Sequence, residues 1–246
     1  TASNGPANLK ITSCTDDPSC TDASMGSRIL TPEMTNVQLG KWKFAAANSN
    51  VTLRKLTLQV VNPVDNNALT GLNTFCTLSL YDGATLLATG NYVNSNVVFS
   101  GFNSVILNGG SKVYTLNGNT NPSGVFSSNK IAAFVVKSDS MVDIQARDVT
   151  GNPLTSASIN HNAVSNNGPA EFRFARATVY NFHDAVPVIT GGILPSSLSV
   201  DTQARIFKFS VRNAGTTELK FSGVNVSSFI FGLAQGGSIS DFKLYE

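Results

Sequence analysis

Residues 3–82 of this chain run again, diverged, as residues 166–246. Ser3-Asn4-Gly5-Pro6-Ala7 returns as Asn166-Asn167-Gly168-Pro169-Ala170, and Leu9-Lys10-Ile11 as Phe172-Arg173-Phe174. Gln38, Lys43 and Phe44 return as Gln203, Lys208 and Phe209. Leu78-Ser79-Leu80-Tyr81-Asp82 returns as Phe242-Lys243-Leu244-Tyr245-Glu246, and the offset stays near 164 residues throughout. A constant internal period is the mark of a tandem array, in which each unit is one packed module. A module of this size buries a core without help from metal or disulfide.

The repeated unit is built from strands. Leu56, Leu58 and Val60 alternate with Thr57 and Gln59, and Cys76, Leu78 and Leu80 with Thr77 and Ser79. Period-two alternation of this kind means half-buried strands. On it, Cys76 reads as a small buried residue. Asp82-Gly83 reads as a hairpin turn, Asn108-Gly109-Gly110 as a second turn, and Asn117-Gly118 as the end of a strand. Residues 131–136 and 141–146 read as a strand pair. No stretch has a helical period, and short strands with regular turns predict an all-β sandwich or barrel. The expected layout has five parts. Residues 1–13 are the closing strand of a preceding module, or a donor strand, and 14–27 a linker loop. Residues 28–183 are one complete sandwich, 184–195 a linker, and 196–246 the first half of a second module. That half module carries Ile206, Phe207, Phe209, Val211, Phe229 and Phe231, which need further strands to cover them. A longer array or another subunit would supply these strands, the latter by donor-strand pairing.

Only 13% of residues are charged, and Asn, Ser, Thr and Gly carry the polar surface. Such a surface repels its own copies weakly, which suits a protein that packs against itself. A net charge of +2 gives no electrostatic basis for a nucleic-acid partner. No apolar run approaches the ~20 residues of a membrane span. The chain opens on Thr1 with no leader in view, so it is expected to be processed or a window of something longer. Cys14 and Cys20 bracket a turn-rich loop and are expected to form a disulfide, which points to an oxidising, extracellular setting. Two cysteines without a nearby Cys or His make no zinc set.

Catalytic motifs are absent: there is no nucleophile elbow, zincin helix, C-x-x-C pair or phosphate loop. Gly109-Gly110-Ser111-Lys112 lies between strands and reads as a turn. His161 and His183 stand far apart as ordinary surface residues. No enzyme and no cofactor are therefore expected. Asp16, Asp17 and Asp22 are weak candidates for calcium, since they offer clustered oxygen ligands without EF-hand spacing. Asp139, Asp143 and Asp148 read as a solvent face. Trp42 recurs as an aromatic in the second copy, which favours core over a sugar platform. Lys43 recurs as Lys208, and a strand lysine of this kind can join covalently to an asparagine, although spacing identifies no partner. Asn50-Val51-Thr52 is a glycosylation sequon in a turn; Asn225-Val226-Ser227 is a second, in a strand.

The Leu80-Tyr81-Asp82-Gly83 segment and Gly110-Ser111-Lys112-Val113-Tyr114-Thr115-Leu116 carry a family likeness, extended by the Gly40-Lys41-Trp42-Lys43-Phe44 strand. Over about residues 28–246 the chain resembles the tandem Ig-like modules of large secreted surface proteins from candidate-phylum (Parcubacteria-type) bacteria. The resemblance implies a structural or adhesive role at the cell surface, with no catalytic residues to carry over. The Cys14–Cys20 loop is not part of that pattern. The reading is thus an extracellular structural protein of a surface layer (S-layer), filament or stalk, whose partners are other copies of itself. The alternative is an adhesin or carbohydrate-binding module that meets a cell-surface glycan.

Overall fold

The computed structural model describes residues 6–15, 17–20, 28–137, 142–161, 173–192, 208–213 and 218. Two sheets face each other. The first runs β12-β1-β3-β9-β5-β6, built from β1 (Asn8–Ser13), β3 (Val37–Ala47), β5 (Phe75–Asp82), β6 (Thr85–Gly90), β9 (Ser111–Thr120) and β12 (Ile159–His161). The second runs β2-β14-β10-β4-β8-β7, built from β2 (Arg28–Leu30), β4 (Val51–Val61), β7 (Tyr92–Val93), β8 (Asn96–Ile106), β10 (Lys130–Lys137) and β14 (Val179–Phe182). β11 (Ile144–Arg147) also pairs with β4, and β13 (Arg173–Phe174) with β10. The architecture is an all-β sandwich.

Alternation supplies the core. Leu9 and Ile11, Trp42 and Phe44, Leu78 and Leu80, and Tyr114 and Leu116 point inward from the first sheet. Leu56, Leu58 and Val60, Val97 and Phe99, and Phe134 meet them from the second. Each such side chain contributes about 1.5–3 kcal/mol when fully buried. One end of the sandwich holds an aromatic cluster: Phe75 lies 5.4 Å from Phe134 and 5.9 Å from Phe182, which in turn meets Phe126 at 6.0 Å. At the other end Phe44 meets Tyr114 edge-on at 4.9 Å.

Several expectations are corrected. Residues 8–13 do not close a preceding module. They form β1 inside this sandwich, antiparallel to β3 from Asn8↔Ala47 to Ser13↔Trp42 and parallel to β12. Leu9 and Ile11 are fully buried there, and that burial seats the strand. β10 and β11 do not pair with each other. They lie end to end along one edge of β4, β10 against Leu58–Val61 and β11 against Thr52–Leu56, with the Thr57 amide donating to the Asp143 carbonyl between them. Asn117-Gly118 does not end a strand, because β9 continues to Thr120. A Cβ on Gly118 would sit 2.6 Å from Leu39 Cδ1 and 2.8 Å from Leu78 Cδ2, so a larger residue here has to displace the tips of two buried leucines. Cys76 is exposed. A register shift between Phe75 and Thr77 turns Phe75 into the core and Cys76 out. Asp143 is not on a solvent face; it is 6% exposed and faces Lys137 at 3.6 Å. The Asn108-Gly109-Gly110 turn carries the chain from the second sheet to the first, with Gly109 at φ 74°.

The expected linker at 184–195 contains a strand. β15 (Pro187–Gly191) pairs antiparallel with β16 (Phe209–Asn213) over five residue pairs, from Pro187↔Asn213 to Gly191↔Phe209. Ile189 and Val211 are exposed on this two-stranded ribbon. Of the core-type residues expected of the half module, Phe209 and Val211 lie in β16, and Ile206, Phe207, Phe229 and Phe231 lie outside the described residues.

Candidate functional site

Three polar arrangements stand out on the sandwich. The first is the loop after β1. Cys14 and Cys20 are joined by a disulfide, with Cα atoms 5.2 Å apart. Its residues Cys14 and Thr15 make contacts within this sandwich. The Cys14 amide donates to the Lys41 carbonyl at 3.1 Å, and Thr15 Oγ1 donates to the Arg176 carbonyl at 3.1 Å. It therefore fastens the end of β1 to β3 and to the segment between β13 and β14.

Asp17 is the candidate calcium ligand that falls among the described residues; Asp16 and Asp22 lie outside them. Its Oδ1 accepts from Ser19 Oγ at 2.6 Å and from the Ser19 amide at 2.8 Å, while Oδ2 meets Lys43 Nζ at 3.2 Å. The Ser19 hydrogen bonds, with help from Lys43, pull the Asp17 carboxyl down to about 2. Lys43, the strand lysine with the potential to join covalently to an asparagine, has Asp17 and Ser19 as its neighbours at the amine. No group of three or more metal-ligating side chains occurs among the described residues.

The second arrangement sits at the Phe44–Tyr114 end. Lys112 Nζ lies 2.5 Å from Asp82 Oδ2 and 3.1 Å from Ser104 Oγ. Tyr114, on the strand that carries Lys112, donates to Ser104 Oγ at 2.8 Å. Burial, with a smaller push from the Asp82 charge, raises the Tyr114 phenol to about 12 against the opposing pull of its hydrogen bond to Ser104. Ser104 Oγ thus joins the Tyr114 phenol to the Lys112–Asp82 ion pair. This cluster reads as a structural clasp between β8 of one sheet and β5 and β9 of the other.

The third is a shallow depression of about 510 Å³ on the outer face of the first sheet. Asn36, Gln38, Lys41, Tyr81, Thr115 and Asn117 line it. The strand register explains the grouping: Lys41, Thr115 and Tyr81 form one row across β3, β9 and β5, and Gln38, Asn117 and Ser79 form the next. The composition of individual strands gives no hint of this site, because its residues come from three strands and the register alone brings them together.

Other singled-out residues are not part of a shared site. Trp42 is fully buried, and its Nε1 donates to the Ala175 carbonyl at 2.6 Å. Asn50 is half-buried in the arch between β3 and β4, where its Oδ1 accepts from the Asn108 amide at 2.8 Å. Asn225 lies outside the described residues. The His183 amide donates to the Leu30 carbonyl at 3.0 Å. Asp148 holds its own turn by accepting from the Thr150 and Asn152 amides.

No protein-family model and no curated protein matches the sequence. The resemblance to the Parcubacteria-type modules therefore stands on the segments quoted above. Among solved structures, the chain is similar to the pilus backbone protein RrgB of Streptococcus pneumoniae, with 8% sequence identity and a TM-score of 0.27. The match covers 85% of this chain and 55% of that one, so the chain spans about half the length of that protein. No helix among the described residues is long and apolar enough to cross a membrane.

Proposed function

We propose that the chain is a non-enzymatic extracellular structural protein, part of a surface layer, filament or stalk assembled by self-association of β-sandwich modules. The observation that carries this reading is the β15–β16 ribbon. Its second strand lies where the sequence repeat puts the opening of another module, and Ile189 and Val211 are left exposed on it. A two-stranded ribbon is marginal alone and needs further strands or a covering layer. Among the described residues no strand lies on either outer edge of this one. Open strand edges recruit matching strands from other chains. The low surface charge removes most of the repulsion that would oppose such contacts.

The test is the assembly state of the purified full chain, followed by light scattering and negative-stain electron microscopy over a concentration series. Ordered oligomers or filaments that grow with concentration are expected. They should shorten when Ile189→Lys and Val211→Lys place like charges on the ribbon. A single monomeric species at every concentration up to the solubility limit would overturn the proposal. The adhesin alternative is favoured by a different observation, the polar depression on the first sheet.

A further inference from the structure

We infer that the outer face of the first sheet binds a neutral oligosaccharide at the depression centred on Tyr81 and Asn117. The inference does not depend on self-assembly, since the ribbon and this face are separate parts of the chain.

The chemistry of the lining selects the ligand class. Asn36, Gln38 and Asn117 are carboxamides, each of which both donates and accepts hydrogen bonds. Thr115 adds a hydroxyl with the same dual capacity. Sugar hydroxyls are dual as well, so this set matches a polyol better than it matches an ion, which asks for one-sided partners. Among the described residues no carboxylate lines the depression, and Lys41 is the cationic side chain in its lining.

Tyr81 supplies the flat element. It is half-buried on the outer face, opposite Thr115 on β9. An aromatic ring with one apolar face and a polar tip accepts the C–H face of a pyranose while its hydroxyl stays wet. Asn117 is the next outward residue along β9, diagonal to Tyr81. Diagonal cross-strand neighbours stand about 7–8 Å apart, a span that one sugar ring bridges.

Asn117 also shows an unmet demand. Its Nδ2 donates to Asn36 Oδ1 at 2.9 Å, whereas its Oδ1 has no partner among the described residues. A buried amide oxygen without a donor costs free energy. A ligand hydroxyl that donates to this oxygen would recover that loss. The rim favours access as well, because Gly83 at the β5–β6 turn has open space where a side chain would stand.

The experiment is titration of the full chain with soluble cellohexaose, mannohexaose and chitohexaose, followed by amide chemical shifts and calorimetry, with oligogalacturonate as an acidic arm. At least one neutral hexaose is expected to bind saturably with a Kd of about 0.1–1 mM. Shifts should concentrate on β3, β5 and β9. Tyr81→Ala and, independently, Asn117→Ala should each weaken binding at least about ten-fold. Tyr81→Phe should retain most of it, and a native circular dichroism spectrum excludes misfolding as the cause. The proposal is overturned if no neutral hexaose binds saturably. It is equally overturned if only oligogalacturonate binds, if the shifts map elsewhere, or if both alanine variants bind like the parent.

Discussion

Trp42→Phe tests the packing account most sharply. Trp42 is fully buried in β3, and its Nε1 donates to the Ala175 carbonyl, at the break between β13 and β14. Ala175 itself sits at φ 53°, a left-handed conformation that costs an L-residue roughly 1–2 kcal/mol. The indole bond thus holds a backbone that would otherwise relax. Phenylalanine keeps an aromatic ring there but removes the donor. The orphaned, buried carbonyl then costs about 1–3 kcal/mol. About a third of the side chain is also lost, which adds roughly 1 kcal/mol on a scale where Trp→Ala costs about 3–5. The expected total is about 2–4 kcal/mol. With a urea m-value of about 2 kcal/mol/M, the unfolding midpoint should fall by roughly 1–2 M. Circular dichroism is the right probe, because the chain contains a single tryptophan. Hydrogen exchange locates the damage. The Ala177 amide, which donates to the Phe134 carbonyl at 2.8 Å, and the β14 amides should lose protection before those of β4. A midpoint change below about 0.3 M, or protection lost evenly across both sheets, would refute the view that Trp42 latches this segment.

Three further outcomes follow from the same geometry. Gly118→Ala places a methyl 2.6 Å from Leu39 Cδ1 and 2.8 Å from Leu78 Cδ2 and should cost about 1–3 kcal/mol in urea unfolding; a neutral substitution would show that the core yields there. The Tyr114 phenol is raised to about 12 when folded, so its stabilising contribution is full below the unfolded value near 10 and is lost as pH climbs from about 10 to 12. Unfolding midpoints should drop across that window, and Tyr114→Phe should flatten the drop. In the native chain one thiol, Cys76, should react with Ellman's reagent, while the Cys14–Cys20 disulfide should release its thiols only after reduction. Absence of reaction before unfolding would contradict the outward turn at the β5 bulge.

The strand content was legible along the sequence because burial on one face imposes period two, and the runs through Leu56–Val60 and Leu78–Leu80 carry it cleanly. The Asp82-Gly83 turn was legible for a local reason too, since Gly83 at φ 58° adopts a conformation that glycine favours. The proximity of Cys14 and Cys20 belongs with these, because a sequence separation of 6 through a turn-rich loop keeps the two sulfurs near each other. All of these depend on neighbours in sequence.

Tertiary structure decided which sheet each strand joins and in what phase. Leu9 and Ile11 announce a buried strand but not its partner, and only the vacancy beside β3 and β12 seats it there. Alternation predicts faces until a bulge adds a residue; the shift at Phe75–Thr77 then sends Cys76 outward and moves Phe75 into the aromatic cluster. Asp143 looked solvated from its spacing and is buried because β10 and β11 share the edge of β4, which brings Lys137 within 3.6 Å of it. The polar outer face of the first sheet is the clearest case. Gln38, Tyr81, Thr115 and Asn117 come from β3, β5 and β9, and hydrogen-bonded register rather than sequence separation makes them neighbours. Period two tells a residue which way to face, whereas the identity of its neighbour is set by long-range pairing, a property of the folded chain as a whole.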